Sequence, residues 1–154
     1  MAERKVITVG KKAADFVLKD QNNKDVKLSD YRGKKVVLSF HPLAWTPVCA
    51  EQMKGLEKSG KAFDKLNAVA FGISVDSVPS KAAWAKSLKL KKTQLLADFW
   101  PHGKVAKSLG LLRAEGFSER AHIILDEKGR VVYTKVYPIR QVPPMDEIIA
   151  ALKS

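Results

Sequence analysis

Apolar positions along this chain fall into two periods, and their alternation lays out the elements. Lys35-Val-Val-Leu-Ser-Phe40 and Ala68-Val-Ala-Phe-Gly-Ile-Ser-Val75 are short, nearly continuous apolar runs, the pattern of central strands covered on both faces. Asp15-Phe-Val-Leu18 and Asp25-Val-Lys-Leu28 flank a turn-rich stretch at 20–25 and predict an N-terminal hairpin. Ser29-Asp-Tyr-Arg-Gly33 predicts a single turn stopped by glycine. Met53, Leu56 and Phe63 recur at helical spacing, which predicts a helix from about Pro47 to Leu66. Ser80 is placed as the N-cap of a helix running to about Leu88.

Downstream, Gln94-Leu-Leu-Ala97 predicts a short strand, followed by the loop Asp98–Gly103 and a helix through Leu109. Arg120–Leu125 and Arg130–Val136 predict a hairpin closed by the turn Asp126-Glu-Lys-Gly129. Pro144 starts a last helix whose stripe is Ile148, Ile149 and Leu152. A β-α-β half followed by a β-β-α half makes an α/β fold, a mixed sheet with helices on both faces. At 154 residues it is read as one domain, residues 1–154.

Composition narrows the chemistry more than the fold. The 28 Lys plus Arg outnumber 16 Asp plus Glu, for a net charge of +12, yet the acids are interspersed and 45% of residues are hydrophobic, so disorder is not expected. No recognition helix, aromatic RNP pattern or arginine-rich stretch accompanies the charge, so it is read as favouring solubility and anionic partners rather than nucleic acid. The start, MAERKVITVG, lacks the apolar region of a signal peptide, and no apolar run is long enough to span a membrane; a cytoplasmic protein is expected. The single cysteine excludes an intrachain disulfide and any CxxC motif and leaves a free thiol suited to a reducing compartment.

That thiol, Cys49, is the focus of the candidate chemistry. Thr46 is a good N-cap and Pro47 suits the first helical position, which puts Cys49 third in the helix, after a central strand where α/β sheets place ligands. The positive end of the helix dipole and its unpaired N–H groups both favour thiolate, the nucleophilic form. A buried, inert cysteine is the bland alternative. His41, His102 and His122 together with Cys49 match no metal-ligand spacing, and His122 fits a core position, so no metal is expected. Trp45, Trp84, Phe99 and Trp100 are read chiefly as packing residues, with Trp45 and the Phe99-Trp100 loop as candidates for a pocket wall or a dimer contact.

The stretch Pro42-Leu-Ala-Trp-Thr46-Pro-Val-Cys49 resembles the PxxxTxxC signature of the peroxiredoxins. The resemblance extends through Ala14-Asp-Phe16, Ser29–Leu38, Ile73-Ser-Val-Asp76, Ser118-Glu-Arg120 and Asp126–Gly129; Asp98-Phe-Trp-Pro-His-Gly103 is most similar to the alkyl hydroperoxide reductase E-like, one-cysteine branch. It implies a thioredoxin-like fold with an N-terminal hairpin extension. It implies a thiol-dependent peroxidase in which Cys49 attacks peroxide and becomes sulfenic acid. By position, Thr46 offers its hydroxyl to thiolate and peroxide, Pro42 shields the pocket, and Arg120 sets a fixed positive charge beside the sulfur. The N–H groups of Val48 and Cys49 complete the donor set. No cofactor is needed.

Other positions carry less. The family often has a carboxylate three residues after the cysteine to orient an arginine; Gln52 stands there, able to accept a hydrogen bond without charge assistance. Arg140, after Tyr137-Pro138, is a candidate second active-site arginine. For Arg120 alone a strand-edge surface cation is the bland alternative, for Thr46 a cap, for Pro42 a loop residue. With no second cysteine, reduction of the sulfenic acid calls for an external thiol: a thioredoxin-like or glutaredoxin-like protein, or a low-molecular-weight thiol. Ser80 is either a native helix cap or an engineered Cys-to-Ser replacement of a resolving cysteine, since some similar proteins carry a cysteine at that place. A homodimer is expected from the resemblance. The competing classes are a non-enzymatic peroxide sensor or redox relay, and a basic nucleic-acid-binding protein.

Overall fold

The computed structural model describes residues 5–154, so the first four residues of the MAERKVITVG stretch lie outside it. Seven strands, β1 Val17–Asp20, β2 Asp25–Lys27, β3 Lys35–Phe40, β4 Ala68–Ser74, β5 Gln94–Ala97, β6 Arg120–Leu125 and β7 Val131–Tyr137, form one mixed sheet in the order β2-β1-β5-β4-β3-β6-β7. The two apolar runs, β3 and β4, are adjacent and parallel at its centre, and β6 lies antiparallel on the other side of β3. The N-terminal hairpin extends the sheet by pairing β1 with β5. Among the described residues, a 3-10 turn at Leu28–Tyr31 and five α-helices complete the fold: α1 Pro47–Lys58, α2 Gly60–Lys65, α3 Val78–Ser87, α4 Lys104–Ser108 and α5 Met145–Lys153.

Because successive strand residues point to opposite faces, the sheet divides two cores. Val36, Leu38 and Phe40 join Ala121, Ile123 and Leu125 in the core with Val105, Ala106 and Leu109 of the α4 segment. Val37 and Ile124 face the other core, with Cys49, Met53 and Leu56 of α1, Trp84 and Ala85 of α3, and Ile148 and Leu152 of α5. The same alternation aims Ser39, Arg120 and His122 toward Cys49's side. Close approach of α1 relies on Gly72, where any Cβ would overlap the Met53 sulfur.

Three boundaries differ from the expected pattern. The helix expected over 47–66 breaks at Ser59, where a Ser-Gly pair, weak in helix propensity, separates α1 from α2. Ser80 does not cap α3: Ser77 does, accepting the Ser80 N–H at 3.4 Å, because Pro79 fits the first turn and moves the start upstream. Pro144 keeps an extended ψ of 129° and precedes α5 instead of opening it.

Candidate active site

Thr46 occupies the N-cap position of α1 in extended conformation and Pro47 follows at the first turn, placing Cys49 third in the helix with its side chain fully buried. The helical ladder begins at the Ala50 N–H, which donates to Thr46 O at 2.9 Å. The N–H groups of Val48 and Cys49 therefore have no intrahelical partner. The Thr46 hydroxyl does not cap: it donates to Leu43 O at 2.8 Å and fastens the loop on itself. Pro42 is buried at the base of that loop, and Val48 is half-buried.

Arg120, first residue of β6, reaches Cys49 across the sheet. Its Nη1 stands 3.3 Å from Cys49 Sγ and donates to Gln52 Oε1 at 2.7 Å, while its Nε donates to Ile139 O at 2.8 Å. Gln52, one helical turn after Cys49, is thus an acceptor for the arginine. Its amide donates to Ser39 Oγ at 2.8 Å and to Phe40 O at 3.1 Å, and Ser39 Oγ lies 2.9 Å from His122 Nε2. Cys49, Arg120, Gln52, Ser39 and His122 are all buried, so this is a continuous polar chain through the interior. Burial lowers His122 to about 4, with Glu147 opposing, and keeps it neutral at pH 7.

A second buried pair stands behind the loop. Lys81 Nζ lies 3.0 Å from His41 Nε2, and both side chains are fully buried. Burial depresses His41 well below the ordinary histidine range, and the Lys81 charge adds to the effect. Burial also brings Lys81 down to about 7, against the pull of Asp76, Cys49 and Asp98. The pairing of Lys81 with His41 was not expected from the sequence. Its available signal was spacing: Lys81 sits three and four residues before Trp84 and Ala85 and shares their buried face.

The remaining candidates are dispersed. Arg140 is exposed beyond β7 and makes no hydrogen bond to Cys49 or Thr46; its neighbour Ile139 supplies the carbonyl that holds Arg120. Trp45 is half exposed with a left-handed φ of 70°, and its indole N–H donates to Ser80 Oγ at 3.0 Å, so Ser80 fastens the loop to α3. The three histidines are apart, His41 at Lys81, His102 at Gly116 O and His122 at Ser39. Trp84 is buried in the core, whereas Phe99 and Trp100 are exposed, Trp100 at 80%.

The chain matches the AhpC/TSA family over residues 9–134. It is 35% identical over 133 residues to alkyl hydroperoxide reductase E of Mycobacterium tuberculosis (strain ATCC 25618 / H37Rv), covering 85% of this chain and 86% of that protein. It is 36% identical over 162 residues to peroxiredoxin 2 of Sulfurisphaera tokodaii, covering 100% of this chain and 75% of that one. Among solved structures, peroxidoxin BcpB from Mycobacterium tuberculosis superposes with a TM-score of 0.83 at 28% identity, covering 94% of this chain and 96% of the other. The chain belongs to the AhpC/TSA family, the peroxiredoxins, and its mixed sheet with flanking helices is the thioredoxin-like fold. It is a thiol-dependent peroxidase of the alkyl hydroperoxide reductase E-like kind.

Proposed function

We infer that Cys49 is the peroxidatic residue and that the chain reduces hydrogen peroxide and small organic hydroperoxides. The observation that carries this reading is the Arg120 guanidinium 3.3 Å from a sulfur set in the first turn of a helix. The Cys49 thiolate attacks the terminal peroxide oxygen; the S–O bond forms, the O–O bond breaks, and hydroxide or alkoxide leaves and takes a proton. Arg120 and the Val48 and Cys49 N–H groups meet the negative charge as it shifts. The Thr46 hydroxyl oxygen, its proton committed to Leu43 O, accepts from the peroxide proton. Pro42 limits water, and Gln52 holds Arg120 in place.

The sulfenic acid condenses with an external thiol, releasing water and forming a mixed disulfide that a second thiol reduces. A lone thiol of this kind fits the reducing cytoplasm. A homodimer is included in the reading because Phe99 and Trp100 present exposed apolar surface on one loop. Mixing reduced protein anaerobically with one equivalent of peroxide, followed by intact mass and dimedone trapping, tests the assignment. The expected product is a single oxygen on Cys49 that dimedone captures; oxidation no faster than that of free cysteine overturns it.

A further inference from the structure

The first turn of α3 and Asp76, two residues before it, grip the cysteine loop at three points. Asp76 Oδ2 accepts the Ala44 N–H at 2.8 Å, Ser80 Oγ accepts the Trp45 indole N–H at 3.0 Å, and Lys81 Nζ meets His41 Nε2 at 3.0 Å. The last contact differs from the others because it carries charge between two fully buried side chains. The His41 backbone is held on both sides: its N–H donates to Ile73 O and its carbonyl accepts from Ser118 Oγ. The ring's one polar side-chain contact is with Lys81, and a backbone hydrogen bond with Ser39 also bears on it. Two cations at this separation in the interior would repel strongly, so the pair holds at most one excess proton, carried by the amine.

We propose that Lys81 is a positioning residue for Cys49, its ammonium fixing the His41 end of the cysteine loop and adding a second buried positive charge to that of Arg120. This rests on the peroxidase reading above. The groups that face the pair come from every element around it: His41 beyond β3, Cys49 on α1, Asp76 before α3, Asp98 after β5, and Arg120 on β6. Asp76 is engaged by Ala44 and Ser74, and Asp98 by the N–H groups of Val105 and Ala106. Cys49 is the member of this set whose charge changes during turnover. Support is mutual: thiolate favours protonated Lys81, and protonated Lys81 favours thiolate.

The sign follows from which form survives. Below about 7 the buried amine is charged and Cys49 feels it; above, the amine is neutral and the wild type becomes electrostatically equivalent to a Lys81→Met variant. Stopped-flow peroxide oxidation between pH 5.5 and 9 should show Lys81→Met slower by about tenfold at pH 6, where the variant lacks the buried charge and its hold on His41, and within about twofold at pH 8.5. A rate ratio that stays constant with pH, or equal rates throughout, overturns the proposal. Should Lys81→Met fail to fold, 13C NMR of Cε-labelled lysines in the wild-type protein decides. One lysine resonance is expected to titrate near neutrality and to move to lower pH in Cys49→Ala; all lysines titrating above pH 9, or a midpoint indifferent to Cys49→Ala, overturns it. The NMR titration and thiolate absorbance at 240 nm need no peroxide. They can therefore fail while Cys49 still reduces peroxide, or succeed in a protein that does not.

Discussion

Arg120 and Cys49, 71 residues apart, meet with Nη1 3.3 Å from Sγ. The same guanidinium is tied to Gln52 on one side and Ile139 O on the other, so its position is set before any substrate arrives. Arg120→Met removes a charged donor worth about 1.5–3 kcal/mol, and the second-order rate with peroxide is expected to fall about ten- to hundredfold. Arg120→Lys restores the charge but not the planar fork that reaches Gln52 and Ile139 together, and should recover only part of the rate. Stopped-flow oxidation at pH 7 measures both.

Gln52 links the arginine to the strand side. Gln52→Leu leaves the Ser39 hydroxyl and the Phe40 carbonyl without its amide and Arg120 without its acceptor. Loss of about 1–3 kcal/mol in urea unfolding is expected, together with slower peroxide oxidation as Arg120 loosens. Unchanged stability with unchanged rate would show that the amide is dispensable.

His122 makes stability sensitive to acid. Its value in the fold, about 4, is below the ordinary 6.5, so the unfolded chain binds more protons between these limits. Stability is therefore full above pH 6.5 and declines as pH falls toward 4, by about 3 kcal/mol from this group. His41, depressed for the same reason, acts in the same direction. Urea unfolding at pH 7, 5.5 and 4.5 should show the decline, with a shallower slope in His122→Asn.

Trp45 tests the loop. Its φ of 70° is left-handed, a conformation that costs roughly 1–2 kcal/mol for residues with a Cβ and nothing for glycine. Trp45→Ala and Trp45→Gly both lose the indole bond to Ser80, yet the glycine variant is expected to be more stable by about 1 kcal/mol. Equal midpoints in urea would mean that the loop abandons this backbone when the indole is gone.

Much of this site was legible in local signals. Thr46-Pro47 placed Cys49 in the first turn of α1, and the spacing of three put Gln52 on the same helical face. The central strands followed from two apolar runs. What stayed hidden depends on register and on packing between distant segments. Ser39 meets His122 because β3 and β6 pair those two positions across an antiparallel ladder, and no local pattern fixes that alignment. His41 was considered in the sequence only as a metal ligand, a role its spacing disfavours, and its partner is a lysine on α3, a residue type rarely expected inside. Ser80 was misplaced as a cap because Pro79 shifts the helix start, and its contact with Trp45 required the loop to fold over α3.

The complete burial of the Cys49 sulfur has a consequence for how the two halves of turnover are separated. A peroxide is two oxygens wide at its reacting end; the thiol of a folded reductant brings a whole surface with it. A sulfur without exposed surface is closed to a reductant of that bulk as long as the chain around residues 42–49 keeps this arrangement. Turnover with either a small or a protein thiol would then include an opening of this segment, and the protein thiol calls for the wider one. The labelling rate of Cys49 by a bulky thiol reagent would measure the frequency of that opening directly, as a clock for the loop rather than a measure of nucleophilicity.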